Sequence, residues 1–121
     1  RYQIDLIFLI APTTPLARMK TIVKAAVGFI YYVTLTGTTG IPLQETASVI
    51  KQIRKIKSLT KIPVAAGFGI STAMEAKAIS SLADGVIVGS ALVKTIETAR
   101  EDFTFLSKLS QKVATLKEAL R

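Results

Sequence analysis

The chain has 121 residues, half of them hydrophobic and a fifth of them charged, so it suits one domain or part of a larger one and is not intrinsically disordered. It contains no cysteine and no histidine, which excludes disulfide and thiolate chemistry and removes the commonest general base and the commonest transition-metal ligand. We expect a cytoplasmic protein without a bound metal.

The formal net charge is +8, and a basic patch that binds nucleic acid is one hypothesis for it. The cations cluster in two predicted helical segments, around Lys51 to Lys61 and around Lys108 to Arg121. No aromatic residues interleave with them as a stacking platform for bases requires. We therefore interpret them as solvated helix faces and expect no nucleic-acid partner. The uncharged stretch Ala25 to Gln44 is interrupted by glycine, threonine and proline, so it predicts a strand and a loop rather than a membrane span.

The first half of the chain predicts two strands, each followed by a helix. The almost purely apolar run Ile4 to Ile10 is typical of a strand that is covered on both faces, as in parallel sheets. Apolar spacing predicts a helix over Leu16 to Ala26. The aromatic and β-branched run Phe29 to Thr34 predicts a second strand. A long amphipathic helix is predicted over Leu43 to Leu59, because apolar residues line one side and cations the other.

The second half repeats this alternation. Pro63 to Ala66 predicts a third strand, and Ser71 is the predicted N-cap of the helix after it. Val86 to Val88 predicts a fourth strand, and a short helix is expected from Ser90 to Thr95. The apolar spacing of Phe103 to Leu120 predicts the last helix.

Four consecutive strand–helix units predict an α/β fold with a parallel sheet and right-handed crossovers. Two architectures fit: a small doubly wound sheet that is complete in itself, or half of a (β/α)8 barrel, whose whole length is typically about 250 residues. A doubly wound domain places its glycine loop after the first strand, but here that strand ends in APTTP, which has no glycine. We therefore favour half of a barrel, with residues 1–121 as one fragment of a single domain.

Two glycine-containing junctions carry the strongest functional signal. GFGIST begins at Gly67 and VGSA ends at Ala91, and each joins a predicted strand to a predicted helix. Glycine lets a ligand approach backbone N–H groups closely, and a helix N-terminus adds unpaired donors and partial positive charge. In (β/α)8 barrels a phosphate often lies between the loops after strands seven and eight. We predict a phosphate site at these junctions; a tight turn without a ligand is the alternative at each.

Three motifs occur in order along the chain: GFIYYVTLTGTTG, PVAAGFGIST and ADGVIVGSALVKTIE. Together they resemble the tryptophan synthase alpha subunit, and the resemblance covers nearly the whole chain as the C-terminal half of that protein, strands five to eight of a TIM barrel. The resemblance implies retro-aldol cleavage of indole-3-glycerol phosphate to indole and glyceraldehyde 3-phosphate. It also implies a beta-subunit partner in an alpha-beta-beta-alpha hetero-tetramer, with pyridoxal phosphate in the partner and no cofactor in this chain.

The resemblance assigns phosphate binding to glycines and one serine. Gly67 and Gly69 match the family's phosphate-side loop after strand seven, and Phe68 between them is assigned to substrate binding. Gly89 and Ser90 match the second phosphate loop.

Three further residues are assigned to substrate binding. Tyr31 matches an active-site tyrosine in strand six, and Thr39 and Gly40 match the mobile loop that closes over substrate. The alternative for Tyr31 is barrel filling, because Phe29, Tyr31 and Val33 share one strand face. An ordinary turn is the alternative for Thr39 and Gly40.

No acidic residue is predicted at the catalytic end of a strand. Asp5 and Asp84 lie at or before the starts of strands, on the face of a barrel that serves stability. The resemblance places the catalytic glutamate and aspartate in the N-terminal half, so we expect this chain alone to be inactive. The alternative is an alpha-like subunit that binds ligand and activates a beta subunit without efficient cleavage. We also expect the unpaired sheet edges and one uncovered sheet face to pair with the other half or to self-associate.

Overall fold

The computed structural model describes residues 2–33, 43–67, 69–70, 72–99 and 104–121. The strands are β1 (Phe8–Ile10), β2 (Ile30–Val33), β3 (Val64–Gly67) and β4 (Gly85–Ile87). The helices are α1 (Leu16–Ala25), α2 (Leu43–Leu59), α3 (Ala73–Ser80), α4 (Ser90–Ala99) and α5 (Phe105–Ala119). None of the helices in these ranges combines the length and apolar character that crossing a bilayer requires.

The four strands form one parallel sheet whose spatial order is the same as their order in the chain. Phe8 pairs with Ile30, Ile30 pairs with Val64, and Ala65 pairs with Gly85. A doubly wound sheet reverses its strand order at a switch point, whereas a barrel adds each new strand on the same side. The order therefore excludes the doubly wound alternative and confirms the predicted barrel architecture.

Side chains alternate between a covered and an open face of this sheet. Ile30 and Tyr32 of β2 and Val64 of β3 are fully buried on the covered face, where they pack in one cluster with apolar residues of the helices. The intervening residues point the other way, because successive strand residues face opposite sides. Of these, Tyr31 is half-buried and Leu9 is 57% exposed. The core thus lies between the sheet and the helices, and the opposite face is open.

Helix α2 shows how the sequence builds this core. Its apolar residues recur every three or four positions, and Val49, Ile53 and Ile56 are all buried against the sheet side. The cations Lys51 and Arg54 lie exposed on its outer side. The helix runs over Leu43–Leu59 as predicted.

The first strand is shorter than the apolar run Ile4 to Ile10 predicted. Only Phe8–Ile10 is paired, while Ile4 is 81% exposed and Leu6 is 65% exposed. The reason is the length of the partner: β2 begins at Ile30, which is opposite Phe8, so the earlier residues have no strand beside them in the described sheet. The prediction of a seven-residue strand was wrong, because hydrophobicity identifies a segment that can pair but not its partner.

The other element ends differ from prediction by smaller amounts. Strand β2 begins one residue later than predicted, and its predicted end at Thr34 lies outside the described residues. Strand β3 lies one residue later than predicted and β4 one residue earlier, within the usual uncertainty of element boundaries. Helix α4 continues to Ala99 rather than ending at Thr95. Helix α5 begins at Phe105, and the predicted start at Phe103 lies outside the described residues.

Thr72, not Ser71, is the N-cap of α3. The Thr72 hydroxyl accepts a hydrogen bond from the Glu75 N–H at 3.2 Å, and the Glu75 carboxylate accepts one from the Thr72 N–H at 3.0 Å. This reciprocal pair is a capping box, which needs an acid or amide three residues after the cap. Thr72 has Glu75 at that distance, whereas the residue three after Ser71 is Met74.

Asp84, just before β4, forms hydrogen bonds to β3 and to α2. Its backbone N–H donates to the Val64 carbonyl at 2.8 Å, while its carboxylate accepts from the Val64 N–H at 2.9 Å and from Lys57 Nζ at 2.6 Å. The bond from Lys57, and then the bond from Val64, hold the pKa of the Asp84 carboxyl below its ordinary value. The sequence placed Asp84 on the face of the barrel that serves stability, and the contacts agree.

Replacing Asp84 with asparagine is expected to lower the free energy of unfolding at pH 7 by about 0.5–1 kcal/mol. Both charged side chains are about two-fifths exposed (40% and 42%), so solvent screens the pair. The folded-state pKa lies below the unfolded value of about 3.9. The wild-type advantage is therefore complete above that pH and disappears as the pH falls through the folded-state pKa. Urea unfolding over a pH series measures it.

Glu118→Gln is the matched control for this substitution. Glu118 and Arg121 form an ion pair at 3.0 Å, but their side chains are 72% and 71% exposed, so we expect no measurable change at any pH. An Asp84→Asn loss that stays constant down to strongly acidic pH would contradict the electrostatic explanation.

Candidate functional site

The loops after β3 and β4 leave the same edge of the sheet at the same height. Gly67 pairs with Ile87 in the parallel register, and Gly69 and Gly89 each follow two residues later. Adjacent strands are about 4.8 Å apart, so these two loops start as neighbours at the carboxyl ends of the strands. Gly69 and Gly89 are both exposed, and apart from the adjacent residues no described heavy atom lies within 4 Å of a Cβ built on either of them. A ligand can therefore approach the backbone closely at both loops.

The N-terminus of α4 directly follows the second loop and is suited to an anion. The Gly89 carbonyl accepts hydrogen bonds from the N–H groups of Leu92 at 2.9 Å and Val93 at 3.1 Å, which are the first bonds of the helix. The N–H groups that precede Leu92, including that of Ser90, have no acceptor within the helix, because the first turn of any helix leaves its N–H groups unpaired. The first turn contains no acidic residue, and Ser90 is exposed. Positive helix-end charge, backbone donors and a hydroxyl thus meet at one point.

The N-terminus of α3 is different. The sequence predicted that the N-termini of both helices would contribute to a phosphate site, but that of α3 is already occupied. Its capping box occupies the N–H groups of Thr72 and Glu75 with side-chain oxygens. It also places a carboxylate in the first turn, where it opposes an incoming anion. At the first loop only the backbone is therefore open to an anion, whereas at the second loop the N-terminus of α4 is open as well.

Gly67 is in contact with Tyr31. A Cβ built on Gly67 would lie 2.6 Å from Cε2 and 2.8 Å from Cζ of Tyr31, and it would also overlap the Tyr31 hydroxyl. The two residues lie on the open face of neighbouring strands, where Tyr31 pairs with Ala65 and Val33 pairs with Gly67. The glycine therefore makes room for the tyrosine ring, a reason that its position in the GFGIST motif did not show.

Ile70 anchors the first loop, and the sequence analysis did not single it out. It is 3% exposed and belongs to the same apolar cluster as the strand residues. One buried side chain between exposed Gly69 and exposed Thr72 fixes the loop to the core. The sequence signal for this anchor was weak, because GFGIST contains a second apolar residue, Phe68.

Three of the predicted site residues cannot be placed. Thr39, Gly40 and Phe68 lie outside the described residues. The structure thus brings together Tyr31 with Gly67, and the Gly69 loop with the loop that carries Gly89 and Ser90. All of these assignments to substrate or phosphate stay predictions.

Of the acidic side chains in the described ranges, Glu75 lies at this edge, at the start of α3, and the others lie elsewhere. Asp84 is at the opposite end of β4, Glu75 belongs to the capping box, and Glu118 pairs with Arg121. Asp5 precedes β1, and Glu97 lies within α4. The described residues also contain no group of three or more His, Cys, Asp or Glu that could hold a metal ion. Apart from Glu75, the described part of the chain therefore brings no acidic side chain to this edge.

An open groove of about 520 Å³ lies on the helical side, between α3, α4 and α5. Lys108 and Lys112 contribute to its lining. The hydroxyls of Thr95 and Thr115 there donate to carbonyls of their own helices, at 2.9 and 3.0 Å. Because these hydroxyls already donate within the protein, the groove offers fewer free hydrogen-bond donors to a ligand than the loop edge does.

A family profile and individual relatives both match this chain to the same family. The profile of the family described as "Tryptophan synthase alpha chain" matches residues 1–121. The tryptophan synthase alpha chain of Acinetobacter baumannii is 45% identical over 120 residues, which are 99% of this chain and 45% of that protein. The chain thus spans less than half the length of this curated relative.

Solved structures agree with the sequence relatives. A Mycobacterium tuberculosis tryptophan synthase structure superimposes with a TM-score of 0.83 at 33% identity, over 98% of this chain and 43% of that one. The tryptophan synthase subunit alpha of Legionella pneumophila gives 0.80 at 32% identity, over 96% of this chain and 42% of that one. Four parallel strand–helix units thus match less than half of each of these longer chains.

Proposed function

Because the chain belongs to the tryptophan synthase alpha chain family, we propose that it is the phosphate-binding part of a lyase of tryptophan biosynthesis. The reaction is the retro-aldol cleavage of indole-3-glycerol phosphate to indole and glyceraldehyde 3-phosphate. The observation that carries the proposal is the acid-free N-terminus of α4 beside two exposed glycine loops at one edge of the sheet. A phosphate dianion needs this combination of backbone donors, positive helix-end charge and open approach.

Each predicted residue has a role in this proposal. The backbone at Gly67, Gly69, Gly89 and Ser90 forms the phosphate site, with the N–H groups of the last three and the Ser90 hydroxyl as donors. Tyr31 lies on the open face of the sheet beside Gly67, where it contacts the body of the substrate. We assign Phe68, Thr39 and Gly40 to the same substrate, because their motifs resemble those of the family.

The chemical step requires groups from outside the described residues. Cleavage of the bond between indole C3 and the glycerol carbon needs a base to take the proton of the hydroxyl on that carbon, which becomes the aldehyde. It also needs an acid to protonate indole C3. Carboxylates can do both when they are positioned within hydrogen-bond reach. We propose that a glutamate and an aspartate from the N-terminal half of a complete barrel supply them, so the present chain alone binds without turnover.

The proposed partner is a tryptophan synthase beta subunit in an alpha-beta-beta-alpha tetramer. That subunit carries pyridoxal phosphate and takes up the indole that the alpha chain releases. The proposed location is the cytoplasm. No residue of this chain is assigned to the cofactor.

A titration of the chain with glycerol 3-phosphate, followed by amide NMR, tests the phosphate site. We expect saturable shifts at the amides of Gly69, Gly89 and Ser90, and an affinity several-fold weaker in Ser90→Ala. Ser107→Ala is the control, because the Ser107 hydroxyl donates to the Thr104 carbonyl at the start of α5 and belongs to neither glycine loop. Shifts that do not saturate, or that spread evenly over surface lysines, would contradict the proposed site.

A second candidate is an alpha-like subunit that binds ligand and activates a beta subunit without efficient cleavage. The observation that favours it is that Glu75, the described carboxylate at this edge, is held in the capping box of α3. An assay of indole release by a longer chain that includes this segment, without beta subunit, separates the two. Release at a rate far above the uncatalysed reaction supports the lyase, whereas phosphate binding with stimulation of the beta reaction alone supports the second candidate.

A further inference from the structure

The two methionines of the chain lie in opposite environments. Met19 on α1 is 1% exposed and belongs to the core cluster, whereas Met74 on α3 is 83% exposed. Methionine is usually a buried residue that fills irregular gaps in a core. Met74 therefore contributes almost nothing to packing, and its thioether side chain is open to solvent.

Met74 lies on the solvent face of an amphipathic helix. Ala76 and Ile79 of α3 are buried, while Lys77 and Ala78, three and four residues after Met74, share its exposed face. The strand before this helix, β3, is paired on both sides, with β2 and with β4. The exposure of Met74 is therefore a property of the outward face of the helix and not of an unpaired edge of the sheet.

The composition of the chain directs oxidation by peroxides to methionine. These 121 residues contain two methionines, no cysteine and no tryptophan. Cysteine and methionine sulfur is the group that such oxidants attack, and its susceptibility follows exposure. A peroxide reaches the buried Met19 only when the core opens, which costs free energy. Of the two sulfurs, that of Met74 is therefore the one that reacts in the folded chain.

We propose that Met74 is a reversible oxidation site, converted by hydrogen peroxide to methionine sulfoxide while Met19 stays reduced. The thioether sulfur attacks one peroxide oxygen, and an S–O bond forms as the O–O bond breaks. The second oxygen takes both protons and leaves as water, so sulfur is oxidised and the peroxide is reduced. Methionine sulfoxide reductases, one for each epimer, reverse the step. This inference does not depend on the proposed function, because it uses no residue of the phosphate site.

The fold tolerates the added oxygen at this position. The capping box at the start of α3 is built from Thr72 and Glu75 and uses no atom of the Met74 side chain. An exposed sulfoxide keeps its hydration, so no buried polar group is created. At Met19 the same oxygen would lie in the apolar core without water, where an unpaired polar group is costly. Oxidation of Met74 therefore leaves the chain folded, whereas oxidation of Met19 opposes folding.

Peptide mass spectrometry after mild treatment with hydrogen peroxide tests the proposal. In the folded chain we expect Met74 to be oxidised at least about tenfold faster than Met19, with comparable rates in concentrated urea. Met74→Leu should take up no oxygen under the same conditions. Met19→Leu is the matched control and should take it up at the wild-type rate, because leucine replaces methionine with little change of volume. Comparable rates at the two methionines of the folded chain, or a faster rate at Met19, would overturn the proposal.

Reversal and stability test whether the modified side chain stays outside the packed structure. The reductases for both sulfoxide epimers, added together, should return the mass to that of the untreated chain. The chain oxidised at Met74 alone should keep the wild-type midpoint of urea unfolding, whereas a chain oxidised at both methionines in urea and then refolded should unfold at lower urea. An oxygen at Met74 that the reductases cannot remove, or that lowers the midpoint as much as oxidation at both methionines, would overturn the proposal.

Discussion

Replacing Gly67 with alanine is expected to lower the free energy of unfolding by about 1–3 kcal/mol, the usual range for overpacking. The new methyl group would lie 2.6 and 2.8 Å from two ring carbons of Tyr31, closer than carbon atoms approach without strain. The ring must leave its place on the open face of the sheet, and the strand cannot retreat because Gly67 is paired on both sides, with Val33 and Ile87. Urea unfolding measures the change.

A double-mutant cycle identifies the cause. In a Tyr31→Ala background the added methyl group has space, so we expect the Gly67→Ala penalty to fall to about 0.5 kcal/mol or less. Gly85→Ala is the matched control on the neighbouring strand, because its Cβ would meet the Ala65 Cβ at an ordinary 3.6 Å. Equal penalties for Gly67→Ala with and without Tyr31, or an equal penalty at Gly85, would show that the ring is not responsible.

The contact between Gly67 and Tyr31 also marks a limit of sequence reasoning. Hydrophobic periodicity predicted α2 from end to end, because Val49, Ile53 and Ile56 repeat with the helical period and are buried in the structure. A contact between two strands depends on their register, and one residue of slip would turn Tyr31 to the other face. The motif therefore identified Gly67 as a special glycine, but only the register shows that it faces the tyrosine.

The difference between the N-termini of α3 and α4, by contrast, could have been predicted from the sequence. The Thr72-x-x-Glu75 spacing is a capping-box pattern, and it distinguishes the closed start of α3 from the acid-free start of α4. The length of β1, by contrast, could not be predicted from the sequence. Ile4 and Leu6 are as apolar as the paired residues after them, and only the length of β2 decides where pairing begins.

Placing a carboxylate at the start of α4 is expected to separate phosphate binding from folding. A Cβ at Gly89 meets no described atom within 4 Å, and Gly28 is the one described glycine with positive φ. Gly89 therefore tolerates a side chain. As the residue before the first helical position, aspartate or asparagine there is a favoured N-cap. We expect Gly89→Asp to leave the free energy of unfolding unchanged or to raise it by a few tenths of a kcal/mol.

The same substitution should abolish binding of glycerol 3-phosphate. Two unit charges about 4 Å apart near a protein surface repel by roughly 4 kcal/mol, so a loss of at least about 100-fold is expected at low ionic strength. Gly89→Asn has nearly the same shape without the charge, so it should lose much less, through the blocked approach to the backbone alone. Calorimetric titration of both variants beside their unfolding curves makes the comparison. If aspartate and asparagine weakened binding equally, or neither did, the loop after β4 would be a turn and the helix end would have no anion to bind.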